Sequence, residues 1–187
     1  MNRSPNFARR SAHVRSQKGF TLTECLIAMA VTATSLGAGL PGFEQALEKR
    51  RLEGVAAQLE TDIAFTRSLA VAQSHSVRMK FQSDVSGSCY VVHTGSANDC
   101  RCNADGQAVC IGGRQALRSV FFAASGPVSL RSNVPSILFD PTHGTSTPTG
   151  TLSVVGRSNS AIHQIVNIMG RVRSCAPAPG LAGYPLC

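Results

Sequence analysis

The chain has 187 residues, 43% of them hydrophobic and 15% charged, with a formal net charge of +8. That composition excludes a disordered or collagen-like chain and leaves room for one globular domain of ordinary size plus an extra segment. A charge of +8 invites a nucleic-acid or membrane partner, yet Arg3, Arg9, Arg10, Arg15 and Lys18 all fall in residues 1–19, and without them the balance is +3. The rest is polarised: residues 20–100 carry 6 basic and 8 acidic side chains, whereas residues 101–187 carry 7 and 2.

After the basic leader, Phe20 to Leu40 (FTLTECLIAMAVTATSLGAGL) runs 21 residues with one charge. That is enough for roughly 30 Å of helix at about 1.5 Å per residue, so a transmembrane helix is predicted over residues 20–42. The positive-inside rule keeps the leader cytoplasmic and puts the carboxyl-terminal bulk across the inner membrane. The seven cysteines, none in a C-x-x-C pair, agree with that oxidising side. Pro41-Gly42-Phe43-Glu44 offers no A-x-A-like cleavage site, so this is not an ordinary secretory signal. A plain signal anchor is the simpler alternative.

Glu24 lies five residues into the apolar run, where an ionised carboxylate costs about 2.5–3.5 kcal/mol on insertion scales and calls for a cation. A cut between Gly19 and Phe20 would supply one: the new amine lies one helical turn from Glu24, in the same subunit or a neighbour. Lys18-Gly19-Phe20-Thr21-Leu22-Thr23-Glu24 resembles the prepilin-peptidase site of the type IV pilin superfamily, with Gly19 before the cut, Phe20 after it and Glu24 fifth in the mature chain. The resemblance implies removal of residues 1–19 by a prepilin peptidase, methylation of the Phe20 amine, and assembly through Glu24 into a filament. Pro41 suits the bend of pilin helices, and Cys25 reads as a small apolar packing residue.

From residue 43 the apolar positions Phe43, Ala46, Leu47, Leu52, Val55, Leu59, Ile63, Phe65, Leu69 and Val71 recur at three- and four-residue steps. They predict an amphipathic helix over residues 43–76, ending near His75 and continuing the anchor as one rod. Beyond it, Val77 to Phe81, Cys89 to Thr94, Leu117 to Phe122, Val128 to Arg131, Ile137 to Phe139, Thr151 to Val155 and Ile162 to Ile168 are short strand-like runs between Gly, Pro, Ser and Asn. Residues 77–187 are thus a mostly antiparallel sheet domain covered on one face by the helix, an α+β arrangement. Leu59 to Arg67 with Ala70, then Phe139-Asp140-Pro141-Thr142-His143-Gly144 and Gly150-Thr151-Leu152, are similar to the GspH/FimT family of minor pilins and pseudopilins. Gly170-Arg171-Val172-Arg173 matches its FimT branch.

Arg171 and Arg173 are two apart, so in an extended segment both point to one side and Val172 to the other. Two guanidiniums so spaced can grip successive phosphates, and Gly170 permits a close approach of backbone or phosphate. On spacing alone this is a solvated surface pair; the resemblance implies that it binds DNA during natural transformation. Arg157, Arg131, Arg114, Arg118 and His163 are additional phosphate contacts to consider in the basic half, and binding by so few groups is non-specific and salt-sensitive. Cys175 and Cys187 bracket a Pro/Gly-rich loop that a disulfide would pin, and Cys89, Cys100, Cys102 and Cys110 form two more bridges in one of three pairings. A metal site is the lesser reading of these cysteines, since His93 is the only imidazole close in sequence.

Nothing forms a catalytic constellation: no nucleophile elbow, metal-binding helix or phosphate-cradling loop is present, and His143 and His163 read as loop and strand residues. No enzyme activity, cofactor or metal is expected. The expectation is a single-pass inner-membrane minor pilin, its distal domain periplasmic and later at the cell surface in a pilus. Its partners are other pilins, the prepilin peptidase and double-stranded DNA. A minor pseudopilin that primes filament assembly or secretion without touching DNA is the alternative.

Overall fold

A computed structural model describes the backbone of residues 19–187 and all side chains in that span except those of residues 38–41. The basic leader, apart from Gly19, lies outside the described residues. Helix α1 spans Leu22–Gln73, and the chain divides at Pro41 into two compact units.

In the first unit, α1 begins at a cap: the Glu24 amide donates to Thr21 Oγ1 at 3.3 Å. Thr21 and Glu24 hold the N-cap and N3 positions of a T-x-x-E capping pattern, a sequence signal that the charge-cost argument passed over. The hydroxyls of Thr34 and Ser35 donate back to the carbonyls of Ala30 and Val31 at 3.0 and 2.8 Å, so the polar side chains are satisfied within the helix itself, as apolar surroundings require. Leu22, Leu26, Ile27, Met29, Val31 and Leu36 are exposed.

In the second unit the helix buries Leu52, Ala56, Leu59, Ile63, Thr66 and Ala70, a stripe at steps of three and four. This corrects the predicted stripe: Phe43, Leu47, Phe65 and Val71 fall on the exposed side, while Asp62 lies wholly inside. The helix stops two residues short of His75, because Ser74 adopts a left-handed conformation (φ 53°).

The strands are β1 Val77–Ser83, β2 Gly87–Thr94, β3 Cys100–Cys102, β4 Ala108–Cys110, β5 Ala116–Ala123, β6 Val128–Ser132, β7 Ser136–Phe139, β8 Ser146–Thr147, β9 Gly150–Gly156, β10 Ala161–Val166 and β11 Val172–Cys175. They build a five-stranded sheet in the order β5-β2-β1-β7-β8, a four-stranded sheet in the order β11-β10-β9-β6, and the β3-β4 ribbon, with every pairing antiparallel. Strand β10 stops at Val166, short of the predicted Ile168, because the chain turns back at Asn167. The sequence reading missed β3, β4, β8 and β11, all of four residues or fewer, too short to display an alternation.

Inward residues of both sheets (Val77, Met79, Tyr90, Val92, Ile137, Phe139, Leu152, Val154, Ile162, Val166) close over the helix stripe in one core. A second, smaller core of Cys89, Val91, Cys100 and Cys102 lies between the other face of β2 and the β3-β4 ribbon. Disulfides join Cys89 to Cys102, Cys100 to Cys110 and Cys175 to Cys187. The first two select one of the three open pairings: Cys100 and Cys110 face each other across the ribbon, and Cys89 ties the ribbon to β2. Cys25 is the free cysteine and is exposed.

Candidate nucleic-acid interface

The candidate arginines sit at the turn between β10 and β11. There the Asn167 amide donates to the Arg171 carbonyl at 3.0 Å, Arg171's amide donates to Asn167 Oδ1 at 3.0 Å, and Gly170's amide donates to the Asn167 carbonyl at 2.8 Å. Ser146 adds a strap from β8: its amide donates to the Ile168 carbonyl at 2.9 Å and its hydroxyl to the Asn167 carbonyl at 2.6 Å.

Gly170 is required for a backbone reason. Its φ is +68°, and a Cβ there would stand 2.7 Å from the Gly144 carbonyl oxygen and 2.9 Å from Arg67 Cδ. Arg67, from the helix, donates Nε–H to that same Gly144 carbonyl at 2.9 Å. One helix arginine therefore holds the Asp140 to Gly144 turn and the Gly170 turn together. It is a structural position the sequence reading used only as part of a motif, since the contact spans 77 residues.

Strand register shows which basic groups share a face. Arg131 lies opposite Ser153, Ser153 opposite His163, and His163 opposite Cys175; in the next row Thr151, Ile165 and Arg173 are aligned. Opposed residues in antiparallel strands point to the same side, so Arg131, His163 and Arg173 share the face away from the helix. The opposite face carries Gln164, whose Nε2 donates to the Ala56 carbonyl at 3.2 Å. Strand spacing puts β6 about 14 Å from β11, so Arg131 and Arg173 bracket the sheet. Arg131, Arg171 and Arg173 are exposed, His163 is half-buried with Nδ1 3.6 Å from Cys187 Sγ, and Ile168 and Met169 stand exposed at the turn.

The other candidates are arranged differently. Arg157 Nη2 donates to the Ser125 carbonyl at 2.7 Å. Arg118 leaves the set of phosphate contacts: on β5 of the five-stranded sheet it turns inward, Nε 2.7 Å from Asp62 Oδ2, where Tyr90 Oη also donates at 2.5 Å. The cause of its diversion is the buried Asp62 carboxylate; burial, with Asp62 beside it, pushes the Tyr90 phenol well above its ordinary range. Arg114 lies 3.9 Å from Asp99, and His143 Nδ1 3.9 Å from Asp140, a loop position as predicted. Among the described residues no group of three or more His, Cys, Asp or Glu side chains could hold a metal ion.

A long helix packed through its second half on antiparallel sheets defines the class: this is an α+β pilin fold. The family model described as Type II transport protein GspH matches residues 55–170, and the prokaryotic N-terminal methylation motif matches residues 14–40. The chain belongs to the GspH family.

Two crystal forms of the type IV minor pilin FimU of Pseudomonas aeruginosa show the same fold. Each is 16% identical in sequence, with TM-scores of 0.52 and 0.50; one match covers 70% of this chain and 96% of FimU, the other 68% and 98%. The minor pseudopilin EpsH of the Vibrio cholerae type 2 secretion system is 12% identical with a TM-score of 0.47, over 68% of this chain and 98% of EpsH. No curated protein matches the chain significantly. By length and composition the apolar part of α1 can cross a membrane, and the methylation motif covers that part.

Proposed function

We propose that this chain is a minor type IV pilin that binds double-stranded DNA non-specifically during natural transformation. The observation that carries the reading is the shared, helix-free sheet face bearing Arg131, His163 and Arg173, with Arg171 at its end. Cations at both margins of a sheet about 14 Å across can meet phosphates on both strands of a duplex. None of these basic groups lies on a helix or a two-stranded ribbon that could enter the major groove, so base readout is not expected.

The proposal includes maturation: prepilin peptidase cuts after Gly19, the Phe20 amine is methylated, and that amine neutralises Glu24 in the filament. Residues 20–42 then serve as the membrane span, with residues 77–187 on the periplasmic side. The match to a type II transport family favours a second reading, a pseudopilin with a priming role and no DNA contact.

A gel-shift titration of the mature chain in detergent separates the two. With Arg171→Gln and Arg173→Gln together, duplex affinity at low salt falls about tenfold or more and the salt slope shrinks by about 2. Undiminished binding leaves the pseudopilin reading standing.

A further inference from the structure

The turn that joins β10 to β11 is built from residues that turns seldom use. The Gly170 amide donates to the Asn167 carbonyl at 2.8 Å, so Ile168 and Met169 are its two central residues. Exposed turns ordinarily place Gly, Pro, Asn, Asp or Ser there. Ile168 is instead 61% exposed and Met169 49%. One apolar side chain on a surface calls for no account, but two adjacent ones at the tip of a hairpin do.

The tip is also braced. Ser146, wholly buried, donates to the carbonyls of Ile168 and Asn167; Asn167 Oδ1 receives the Arg171 amide; and Arg67 holds the Gly144 carbonyl against which Gly170 sits. An apolar refuge lies beside it, a groove of about 660 Å³ whose walls include Ala64, Val71, Ala72 and Val172. Neither Ile168 nor Met169 lines that groove. The two side chains are presented outward on a fixed backbone rather than folded onto the protein's own apolar surface.

Charge indicates what they meet. Residues 161–174 contain no acid, and Arg171 and Arg173 stand exposed just after the tip. Glu60 lines the groove, which makes the groove itself a poor seat for phosphate. A convex apolar tip flanked by guanidiniums suits a partner that is anionic outside and apolar between flat layers. Stacked duplex DNA has that build, with phosphates along its edges and base faces within.

We infer that Ile168 and Met169 form a wedge that enters the minor groove and partly unstacks a base step, while Arg171 and Arg173 hold the phosphates beside it. The inference rests on the DNA-binding reading above and adds an apolar component to it. A wedge needs no hydrogen bond to a base edge, so binding stays non-specific, with a preference for easily kinked pyrimidine–purine steps.

The mature chain in detergent is titrated against a short duplex of alternating thymine–adenine steps in which fluorescent aminopurine replaces one adenine. Unstacking raises aminopurine emission, about twofold or more at saturation with the parent chain. Ile168→Ser with Met169→Ser installs ordinary turn residues at exposed positions and leaves the denaturant midpoint in place. In that variant the rise is lost and duplex affinity falls about fivefold or more, yet the salt slope stays at the parent value because no phosphate contact is removed. Arg171→Gln with Arg173→Gln gives the contrasting signature, a shallower salt slope. Met169→Leu, still apolar, keeps the rise.

If the parent chain binds the duplex without a rise in emission and the serine variant binds as tightly, the tip stays outside the stack and the inference is overturned with DNA binding intact. If the serine variant keeps both the rise and the affinity but enters filaments poorly, the tip is a contact for a neighbouring subunit, which overturns it equally. A parent chain that binds no duplex at low salt removes the DNA reading, and the wedge with it.

Discussion

His93 lies wholly buried on β2, its Nε2 without a hydrogen-bond partner and Nδ1 3.4 Å from the Thr94 carbonyl. Burial lowers its pKa from the ordinary 6.5, and nearby Arg78 and Lys80 push the same way, against the bond to the Thr94 carbonyl and the charge of Asp99. The imidazole is therefore neutral in the native state at pH values where the unfolded chain already binds a proton. The unfolded state binds more protons below 6.5, so stability is full above that value and declines as pH falls through it. A denaturant midpoint that is flat above pH 6.5 and drops as pH falls below it, with the drop abolished in His93→Gln, is the expected result. Gly170 and Arg67 are also single residues with a definite role: a left-handed turn and one guanidinium meet at the Gly144 carbonyl.

At the scale of elements, the docking of α1 on the five-stranded sheet turns on Asp62. Its Oδ2 receives Tyr90 Oη and Arg118 Nε, while Oδ1 has no partner. Arg118→Met would leave a buried carboxylate held by one phenol. Removing one member of a buried pair costs about 3–5 kcal/mol, and because Arg118 is itself half exposed, a loss of about 2 kcal/mol is expected from equilibrium unfolding. Adding Asp62→Leu should recover part of it, since the uncompensated charge is what costs stability. The β3-β4 ribbon works by another principle: two bridges and a four-cysteine cluster give it a core of its own, which explains why a segment lacking any apolar run is ordered.

At the scale of the whole molecule, the proposed processing sets the expected outcomes. A prepilin-type cut leaves a mature chain that begins at a methylated Phe20, and mass spectrometry of protein from the native host should find that amino terminus and no Met1. Glu24→Ala should leave the cut intact while reducing incorporation into filaments, because the carboxylate matters only after the amine exists. Normal assembly of that variant would reduce Glu24 to the capping role that its N3 position already gives it.

Chain-local features were legible without tertiary structure. The 21-residue apolar run, the long strands and the helix-then-sheet order depend on periodicity and on neighbours within a few residues. What needed the fold are pairings over long separations: which cysteines join, that Asp62 belongs inside while Phe65 does not, that Arg118 serves the core, and that Arg131, His163 and Arg173 share one face. Sequence periodicity marks a helix face as apolar or polar, but an acid can lie inside when a tyrosine and an arginine from distant strands arrive to receive it. That arrival is decided by the register of strands in three dimensions, and no local pattern encodes it.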